Sequence, residues 1–297
     1  MKKLFDTHCD TAYVLERKGK TLDDNDSQIT FEQTKVYDRY EQMFAIWSSH
    51  KRTDDENWEH FHKVYEFYKK EILSRKSERF VPHLAVEGAS LVGHDLDRVN
   101  ILKECGVRMM TLVWKDDSVI GGAHNTIHGF TETGKKVLDR MFDCGIVPDV
   151  SHASDNMTYQ TIERALERGK PVAASHSNSR HVHPHSRNLT DEEFLLIKKT
   201  GGIVGINICR EFLGDRINDV IDISTILTHI EHFMSLGGGD TLCIGCDFDG
   251  IHSFPVGITG LRDIWKIGEE LSKLGYPGRT VEKIMFENAS EFFKNAT

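Results

Sequence analysis

The first strand of the protein is predicted from the segment Phe5-Asp6-Thr7-His8-Cys9-Asp10-Thr11. This segment follows a pair of lysines and begins at Leu4 and Phe5, which indicate a short buried strand. Because successive side chains of a strand point to opposite faces, His8 and Asp10 are expected to project on the same side. An imidazole nitrogen and a carboxylate oxygen on one face can share a metal ion, although the same pair also suits a hydrogen-bonded strand end.

Short apolar runs alternate with longer amphipathic runs through the rest of the chain. Seven further strands are predicted at residues 42–47, 80–88, 107–113, 146–152, 172–176, 202–207 and 241–246. Helices are predicted at 12–20, 54–72 with Asp54 or Asp55 as its N-cap, 95–105, 131–144, 155–168 and 223–236. A further helix is predicted to open at the capping box Thr190-Asp191-Glu192-Glu193. Two more, 261–274 and 281–293, are expected to cover the outside. This alternation predicts an α/β protein, a distorted (β/α)8 TIM-like barrel forming one domain over residues 1–297.

Composition and charge narrow the class of protein. With 39% hydrophobic and 28% charged residues, the 297-residue chain lies in the range of soluble globular proteins. The net charge of −9 argues against nucleic acid or an anionic membrane as the main partner, because both favour a basic surface. Asp6 and its acidic neighbours leave no apolar core of a secretion signal, and no run approaches the roughly 18 apolar residues of a membrane span. We therefore expect a cytoplasmic protein without a membrane partner.

The six cysteines are scattered through apolar surroundings without the spacing of a disulfide framework. We expect reduced, mostly buried thiols. Cys243 and Cys246 have the spacing of a redox or zinc pair, but an offset of three residues in a strand places the two sulfurs on opposite faces. A functional thiol pair is therefore not expected.

Polar side chains close several of the predicted strands: His8, Asp10, Glu87, His152, His176 and Asp247. In a barrel, strand ends from distant parts of the sequence meet at one mouth. Three histidines and two carboxylates suit zinc better than magnesium or calcium, which prefer oxygen ligands alone. Five ligands are one more than a single tetrahedral zinc needs, which favours two ions that share a bridging carboxylate.

Six motifs extend this pattern, and they occur in one order from residue 6 to about residue 250. They are Asp6-Thr7-His8-Cys9-Asp10-Thr11, Val86-Glu87-Gly88, Asp149-Val150-Ser151-His152-Ala153-Ser154, Ser175-His176-Ser177-Asn178, Ser186-Arg187-Asn188 and Gly245-Cys246-Asp247-Phe248-Asp249-Gly250. With these motifs the chain resembles the membrane (renal) dipeptidase family of zinc metallopeptidases, in the metal-dependent hydrolase superfamily. The segment Glu287 to Phe293 is also similar to the closing helix of that family.

The resemblance implies a binuclear zinc metallopeptidase. In that pattern His8 and Asp10 hold one ion, His152 and His176 hold the other, and Glu87 bridges the two. A metal-bridged hydroxide would attack the peptide carbonyl.

The remaining family positions imply the proton chemistry and the substrate contact. Asp247 matches the acid/base residue, and Arg187 matches the arginine that binds the free C-terminal carboxylate of the substrate. The implied substrates are dipeptides, including those with a C-terminal D residue, which the family often accepts. A homodimer is a further family-based expectation.

One position departs from the family pattern. Animal members carry a histidine after the fourth strand that helps to bind the reacting carbonyl, and Trp114 occupies the aligned position here. His124 or Asn125 could reach in from the same loop. The alternatives are another zinc hydrolase that acts on acylated amino acids or lactones, and a catalytically impaired zinc protein that serves as a binding protein.

Overall fold

Eight parallel strands form a closed barrel in the order β1 to β8, with β1 paired to β8. The computed structural model describes residues 2–215 and 220–296. The strands are β1 Lys3–Cys9, β2 Arg39–Trp47, β3 Phe80–Glu87, β4 Val107–Thr111, β5 Val147–Asp149, β6 Ala173–Ala174, β7 Ile203–Ile206 and β8 Leu242–Ile244. The prediction of a (β/α)8 TIM-like barrel is confirmed.

The helices follow the strands and surround the barrel. They are α1 Thr11–Lys18, α2 Phe31–Thr34, α3 Asp54–Glu71, α4 Asp97–Glu104, α5 Glu132–Cys144, α6 Asp155–Arg168, α7 Asp191–Lys199, α8 Arg210–Leu213, α9 Ile223–Ser235, α10 Trp265–Lys273, α11 Gly278–Glu282 and α12 Asn288–Ala296. Short 3-10 turns lie at Leu73–Arg75, Ala89–Val92, Gly238–Asp240 and Leu261–Asp263, and a π-helical turn spans Lys283–Glu287.

Local side-chain chemistry explains several helix boundaries. Thr190 and Glu193 form the predicted capping box of α7, and Thr131 accepts a hydrogen bond from the amide of Gly134 at the start of α5. The predicted cap of α3 is wrong, because Thr53 and Glu56 form its capping box and Asp54 is already helical. The true cap, Thr53, precedes Asp54 by one residue, and hydrophobic periodicity does not locate a helix end to within one residue.

The barrel interior is filled by alternate strand residues, as the two-residue period of a strand requires. Phe5, Met43, Ala45, Ala85, Met109, Val147, Ala173, Ile203 and Cys243 form this buried inner cluster. The four apolar residues Phe286, Ala289, Phe292 and Phe293 belong to the same cluster, and the rings of Phe5 and Phe293 stack with centroids 5.5 Å apart. The C-terminal segment therefore closes the N-terminal end of the barrel.

This closure corrects the expectation that the last helix lies outside. Asn288 at the start of α12 donates a hydrogen bond of 2.8 Å to the carbonyl of Leu242, the first residue of β8. Apolar periodicity showed that the helix has a buried face, but the face packs under the barrel and not on its wall. Periodicity identifies a buried face without identifying its partner.

The strands on the second half of the barrel are shorter than predicted. β5 ends at Asp149, β6 at Ala174 and β8 at Ile244, so that His152, His176 and Asp247 lie in the turns that follow. The side chains still reach the mouth of the barrel, because a turn directly after a parallel strand remains at the same edge of the sheet.

Candidate active site

The predicted polar residues lie together at the C-terminal mouth of the barrel. His8 Nε2 is 3.7 Å from Asp10 Oδ2, 3.7 Å from Glu87 Oε1 and 3.9 Å from Asp247 Oδ1. All four side chains are buried, with no more than 7% of any residue exposed. The short distance between His8 and Asp10 confirms the prediction that their side chains project on the same side.

Glu87 joins these groups to the two histidines from the other half of the barrel. Its Oε1 lies 3.0 Å from His152 Nε2 and 3.7 Å from His176 Nε2, and the two Nε2 atoms are 2.9 Å apart. One carboxylate oxygen at the end of β3 is therefore within 4 Å of three imidazole nitrogens. This is the arrangement expected of a carboxylate placed between two ligand groups.

Backbone hydrogen bonds between β1 and the turn after β8 set the position of Asp247. The amide of Asp247 donates to the carbonyl of His8 at 3.1 Å, and the amide of Asp10 donates to the carbonyl of Phe248 at 2.8 Å. A Cβ at Gly250 would clash with carboxylate oxygens of both Asp10 and Asp247, so a larger residue there would displace these two side chains. The chain thus brings two carboxylates together by removing a side chain.

Three non-glycine residues have a positive φ in the part of the chain that the structure describes, and all lie at this mouth. They are His152 at 72°, Asp247 at 64° and Asp249 at 65°. Side chains other than glycine rarely adopt this conformation, which is concentrated at functional sites. The turns therefore accept local strain while aiming two of the candidate functional groups inward.

The buried polar atoms fit a bound cation. Both ring nitrogens of His8, Nδ1 of His152 and Oδ1 of Asp10 have no hydrogen-bond partner among the described residues. Leaving such atoms buried and unpaired costs free energy, whereas metal coordination satisfies nitrogen and oxygen donors of this kind. The nitrogen and carboxylate donors fit zinc, and all five predicted ligands lie in this one cluster.

Burial and mutual charge shift the protonation of the same groups. Burial raises the pKa of Glu87, with the Asp10 charge acting in the same direction, and burial raises the pKa of Asp247 to about 6. Burial lowers the pKa of His152 and of His176. At His8 burial is outweighed by the nearby Glu87 and Asp10 carboxylates, which raise its pKa to about 10. The surrounding carboxylates thus favour a positive charge at His8, whereas burial favours the neutral forms of His152 and His176.

A buried carboxylate that carried no predicted role orients His176. Asp149 accepts hydrogen bonds from the hydroxyls of Thr111 and Ser175, and the Ser175 hydroxyl lies 2.6 Å from Nδ1 of His176. When Ser175 donates to Asp149 and accepts from Nδ1–H, the lone pair of His176 is held on Nε2, which faces Glu87. Asp149 stands in a recognised motif, but its contact with the next strand is visible only in three dimensions.

Arg187 lies beside this cluster, in the loop between β6 and α7. It is only 4% exposed, its Nη2 donates to the carbonyl of His176 at 3.3 Å, and its guanidinium stands 5.3 Å from the ring centroid of Phe212. The Nε atom has no partner among the described residues. A buried guanidinium with donor capacity left over is suited to an anionic group of a ligand.

Trp114, which the family resemblance aligns with a histidine, packs among aromatic rings beside the cluster. Its ring contacts Trp47 edge-on at 4.8 Å and stacks on His50 at 5.5 Å. Of the two residues considered as substitutes, His124 lies 6.3 Å from the ring of His152, and its Nδ1 is hydrogen-bonded to the Ser186 hydroxyl at 2.8 Å. Asn125 is exposed. The structure therefore favours His124 as the nearer imidazole.

Other polar residues near the mouth have structural partners. Asp249 accepts from the Thr11 hydroxyl at 2.6 Å and from the amide of Gln28 at 3.0 Å, so it braces the β1–α1 junction. Arg180 makes two hydrogen bonds of 2.7 Å to Asp155, which anchor its loop to α6. Asn207, which follows β7, donates to Oδ2 of Asp247 at 3.1 Å and was not predicted as a site residue.

A parallel barrel with histidines and carboxylates gathered at the C-terminal ends of its strands is the architecture of barrel metallohydrolases. The sequence pattern of one protein family matches residues 1–297 of this chain. The chain belongs to the membrane dipeptidase family, peptidase family M19, which confirms the resemblance seen in the sequence. Membership of this metallopeptidase family implies a metal cofactor.

Individual relatives agree with this assignment. Dipeptidase 3 of Mus musculus is 30% identical over 219 residues, which cover 71% of this chain and 43% of the mouse protein. The match therefore spans less than half the length of that relative. A metallopeptidase of Rhodobacter sphaeroides, solved with a phosphinate mimic of the dipeptide L-Ala-D-Ala, has a TM-score of 0.89 at 21% identity, covering 100% of this chain and 99% of its own.

The probable dipeptidase of Pseudomonas aeruginosa has a TM-score of 0.87 at 18% identity, covering 99% of this chain and 95% of its own. At these identities the two structures show that the fold is shared. None of the helices that the structure describes is long and apolar enough to cross a membrane.

Proposed function

We propose that the protein is a zinc-dependent dipeptidase that hydrolyses dipeptides with a free C-terminal carboxylate. The observation that carries this proposal is the position of Glu87, whose Oε1 lies within 4 Å of His8, His152 and His176. Arg187 donates to the backbone of the same His176 and supplies a buried positive charge at the edge of the cluster. A small anionic substrate fits this combination of groups.

The five ligand residues divide into two sets around the central carboxylate. His8 and Asp10 form one set, His152 and His176 form the other, and Glu87 faces both. We assign two zinc ions to these sets, because five donors exceed the need of one tetrahedral ion. When bound, zinc polarises a carbonyl and lowers the pKa of water towards about 7.

Asp247 is assigned the proton transfers. Burial raises its pKa to about 6, close enough to neutrality for a carboxylate to take a proton from water and return it to a leaving amine. Asn207 holds Oδ2 at 3.1 Å, while Oδ1 faces His8 at 3.9 Å. One oxygen is therefore fixed by an amide and the other remains directed at the reaction centre.

Arg187 is assigned the substrate carboxylate, and His124 the reacting carbonyl. The guanidinium is buried on Phe212, and its Nε is free among the described residues to donate to an incoming anion. Burial, followed by the charge of Arg187, lowers the pKa of His124 to about 4, so its imidazole is neutral and can donate one hydrogen bond. In this assignment His124 supplies the imidazole that the family pattern places at the position of Trp114.

A D residue at the C-terminal position is included in the proposed substrate range. Support comes from the related structure of Rhodobacter sphaeroides, which holds a mimic of L-Ala-D-Ala. The cytoplasmic location and the homodimer stay predictions from the sequence.

Metal analysis combined with a dipeptide panel tests the proposal. We expect about two zinc ions per chain and turnover of simple dipeptides, with L-Ala-D-Ala among them. N-acyl amino acids and lactones serve as the comparison substrates. Turnover of those compounds without dipeptide hydrolysis would assign the protein to another hydrolase reaction, and a zinc-loaded protein that turns over none of them would be a binding protein.

A further inference from the structure

A second group of metal-ligating side chains lies away from the buried cluster, near the surface. His181 is in the loop between β6 and α7, Asp191 is the first residue of α7, and His232 lies in the last turn of α9. One ligand atom from each of the three residues lies within 4.8 Å of the other two. Three separate elements thus place two imidazoles and a carboxylate together.

The geometry of the group is already well ordered. His232 Nε2 lies 2.7 Å from Asp191 Oδ1, and the rings of His181 and His232 stack with centroids 4.4 Å apart and planes 9° from parallel. The capping box of α7 is formed by Thr190 and Glu193, so Asp191 is not needed to cap the helix. Its carboxylate instead faces His232, so the two side chains already stand together as a pair of candidate ligands.

We propose that His181, Asp191 and His232 form a third metal site, selective for divalent transition ions of the zinc type. Two imidazoles and one carboxylate match the nitrogen and oxygen ligands of zinc, whereas magnesium and calcium prefer oxygen alone. His181 is exposed and the other two residues are half-buried, so water can complete the tetrahedron. Binding would require the exposed His181 ring to turn out of its stack with His232, so that both imidazoles present a nitrogen to one ion.

Such a site would fasten the β6–α7 loop to α9. The loop is already attached to this helix one turn earlier, where the amide of Ser179 donates to Nδ1 of His229 at 3.1 Å. His229 and His232 are three residues apart and so lie on the same face of α9. A cation at His181 would add a second attachment beside the first, and the loop and helix would separate less readily.

Zinc titration of the intact protein tests the proposal. The holoprotein is passed through a desalting column to set its baseline metal content, then titrated with Zn²⁺ by calorimetry in the presence of excess Mg²⁺. We expect one further ion per chain and a Tm raised by a few degrees, because an ion that binds only the folded state stabilises it. The same titration with Mg²⁺ alone is expected to show no binding.

Variants localise the extra ion. His181→Ala and His232→Ala should each abolish the additional binding and the Tm rise, and Asp191→Asn should weaken both, while the baseline metal content stays unchanged in all three. His94→Ala is the matched control, because His94 is exposed and lies in another loop. It should bind the extra ion normally.

Two outcomes would overturn the site. One is the absence of any additional ion in the wild-type titration, and the other is additional binding that persists in His181→Ala. Because His181 is exposed, its replacement leaves the fold intact even if His232→Ala proves unstable. The test requires no peptidase activity, so its result is independent of the proposed function.

Discussion

Oε1 of Glu87 lies 3.0 Å from Nε2 of His152, although α4, β4, α5 and β5 separate the two residues in the chain. Burial raises the pKa of Glu87 and lowers the pKa of His152, so burial disfavours charge on both groups. A cation shared between them removes this penalty, because both groups then act as ligands in their unprotonated forms. We therefore expect the protonation of both groups to change when metal is removed.

Replacing Glu87 with glutamine should lower the zinc content from about two ions per chain and abolish dipeptide hydrolysis. The amide keeps the size of the side chain but removes the negative charge that faces three histidines. Metal content is measured by plasma emission spectrometry after gel filtration. Glu41→Gln is the matched control, because Glu41 is also a buried β-strand carboxylate but pairs with His83 and Arg39 away from the mouth. It should keep its metal.

Asp247→Asn should reduce kcat by about 10²- to 10⁴-fold and leave metal content nearly unchanged, because the amide cannot carry the proton. Asn tolerates the positive φ of this position, so the turn is preserved. Asp249→Asn provides the comparison, since Asp249 has the same backbone conformation in the same turn but contacts Thr11 and Gln28. Normal turnover by the Asp247 variant would remove that residue from the mechanism.

Arg187→Ala should raise KM by about 100-fold for dipeptides with a free carboxylate, the loss expected for a buried charge-assisted hydrogen bond. Dipeptide amides, which lack that anion, should be affected far less. Steady-state kinetics on matched acid and amide pairs make the comparison. Equal losses on both substrates would show that Arg187 supports the loop and does not bind the carboxylate.

Ser175→Ala should weaken metal binding by about 10- to 100-fold, the usual effect of removing a partner that orients a ligand. The hydroxyl lies 2.6 Å from Nδ1 of His176 and donates to Asp149, so its loss frees the imidazole to rotate. Competition with a chelator measures the affinity. Ser151→Ala, at a hydroxyl that lies 3.1 Å from the backbone amide of His176 and does not touch its ring, should have a smaller effect.

Glu193 predicts a pH dependence of stability away from the metal. Burial raises its pKa to about 7 from 4.5, and the backbone hydrogen bond from Thr190 opposes this only partly. Because the folded-state pKa is the higher one, the stability that Glu193 contributes is complete below about pH 4.5 and is lost as the pH rises through 7. The loss is on the order of 3 to 4 kcal/mol, at about 1.4 kcal/mol per pKa unit.

Glu193→Gln should remove this dependence. Glutamine resembles the protonated acid and can keep the capping box with Thr190, so the variant should match the wild type at pH 5 and exceed its stability at pH 8. Urea unfolding at both pH values measures the difference. Glu192→Gln, at the exposed neighbouring carboxylate, should follow the wild type. If the stability of the Glu193→Gln variant fell between pH 5 and pH 8 as much as that of the wild type, the burial argument would be contradicted.

Predictions from local pattern succeeded where the pattern is short and repetitive. The two-residue period of a strand predicted that His8 and Asp10 face one side, and the structure places their polar atoms 3.7 Å apart. The alternation of short apolar runs with longer amphipathic runs predicted the eight strands and the helices that form the barrel. The capping box at Thr190 was readable because it involves residues only three apart.

Local pattern failed where a contact depends on distant chain segments. The end of β5 was predicted three residues too late, because an apolar run continues to Val150 while the strand pairing stops at Asp149. The role of Asp149 depends on a serine in the turn after β6, and the position of α12 depends on an opening that exists only after eight strands have closed. Neither contact can be predicted from the periodicity of apolar residues in the sequence.

The amino-acid sequence by itself determined the barrel, the candidate metal-ligating side chains and their order along the chain, because these depend on residue type and local periodicity. Only the tertiary structure decided which oxygen of Glu87 faces which nitrogen and which hydroxyl orients His176. It also decided which further imidazole, that of His124, lies near His152. Those contacts follow from the closure of the sheet, which converts strand ends far apart in sequence into neighbours separated by 3 to 4 Å.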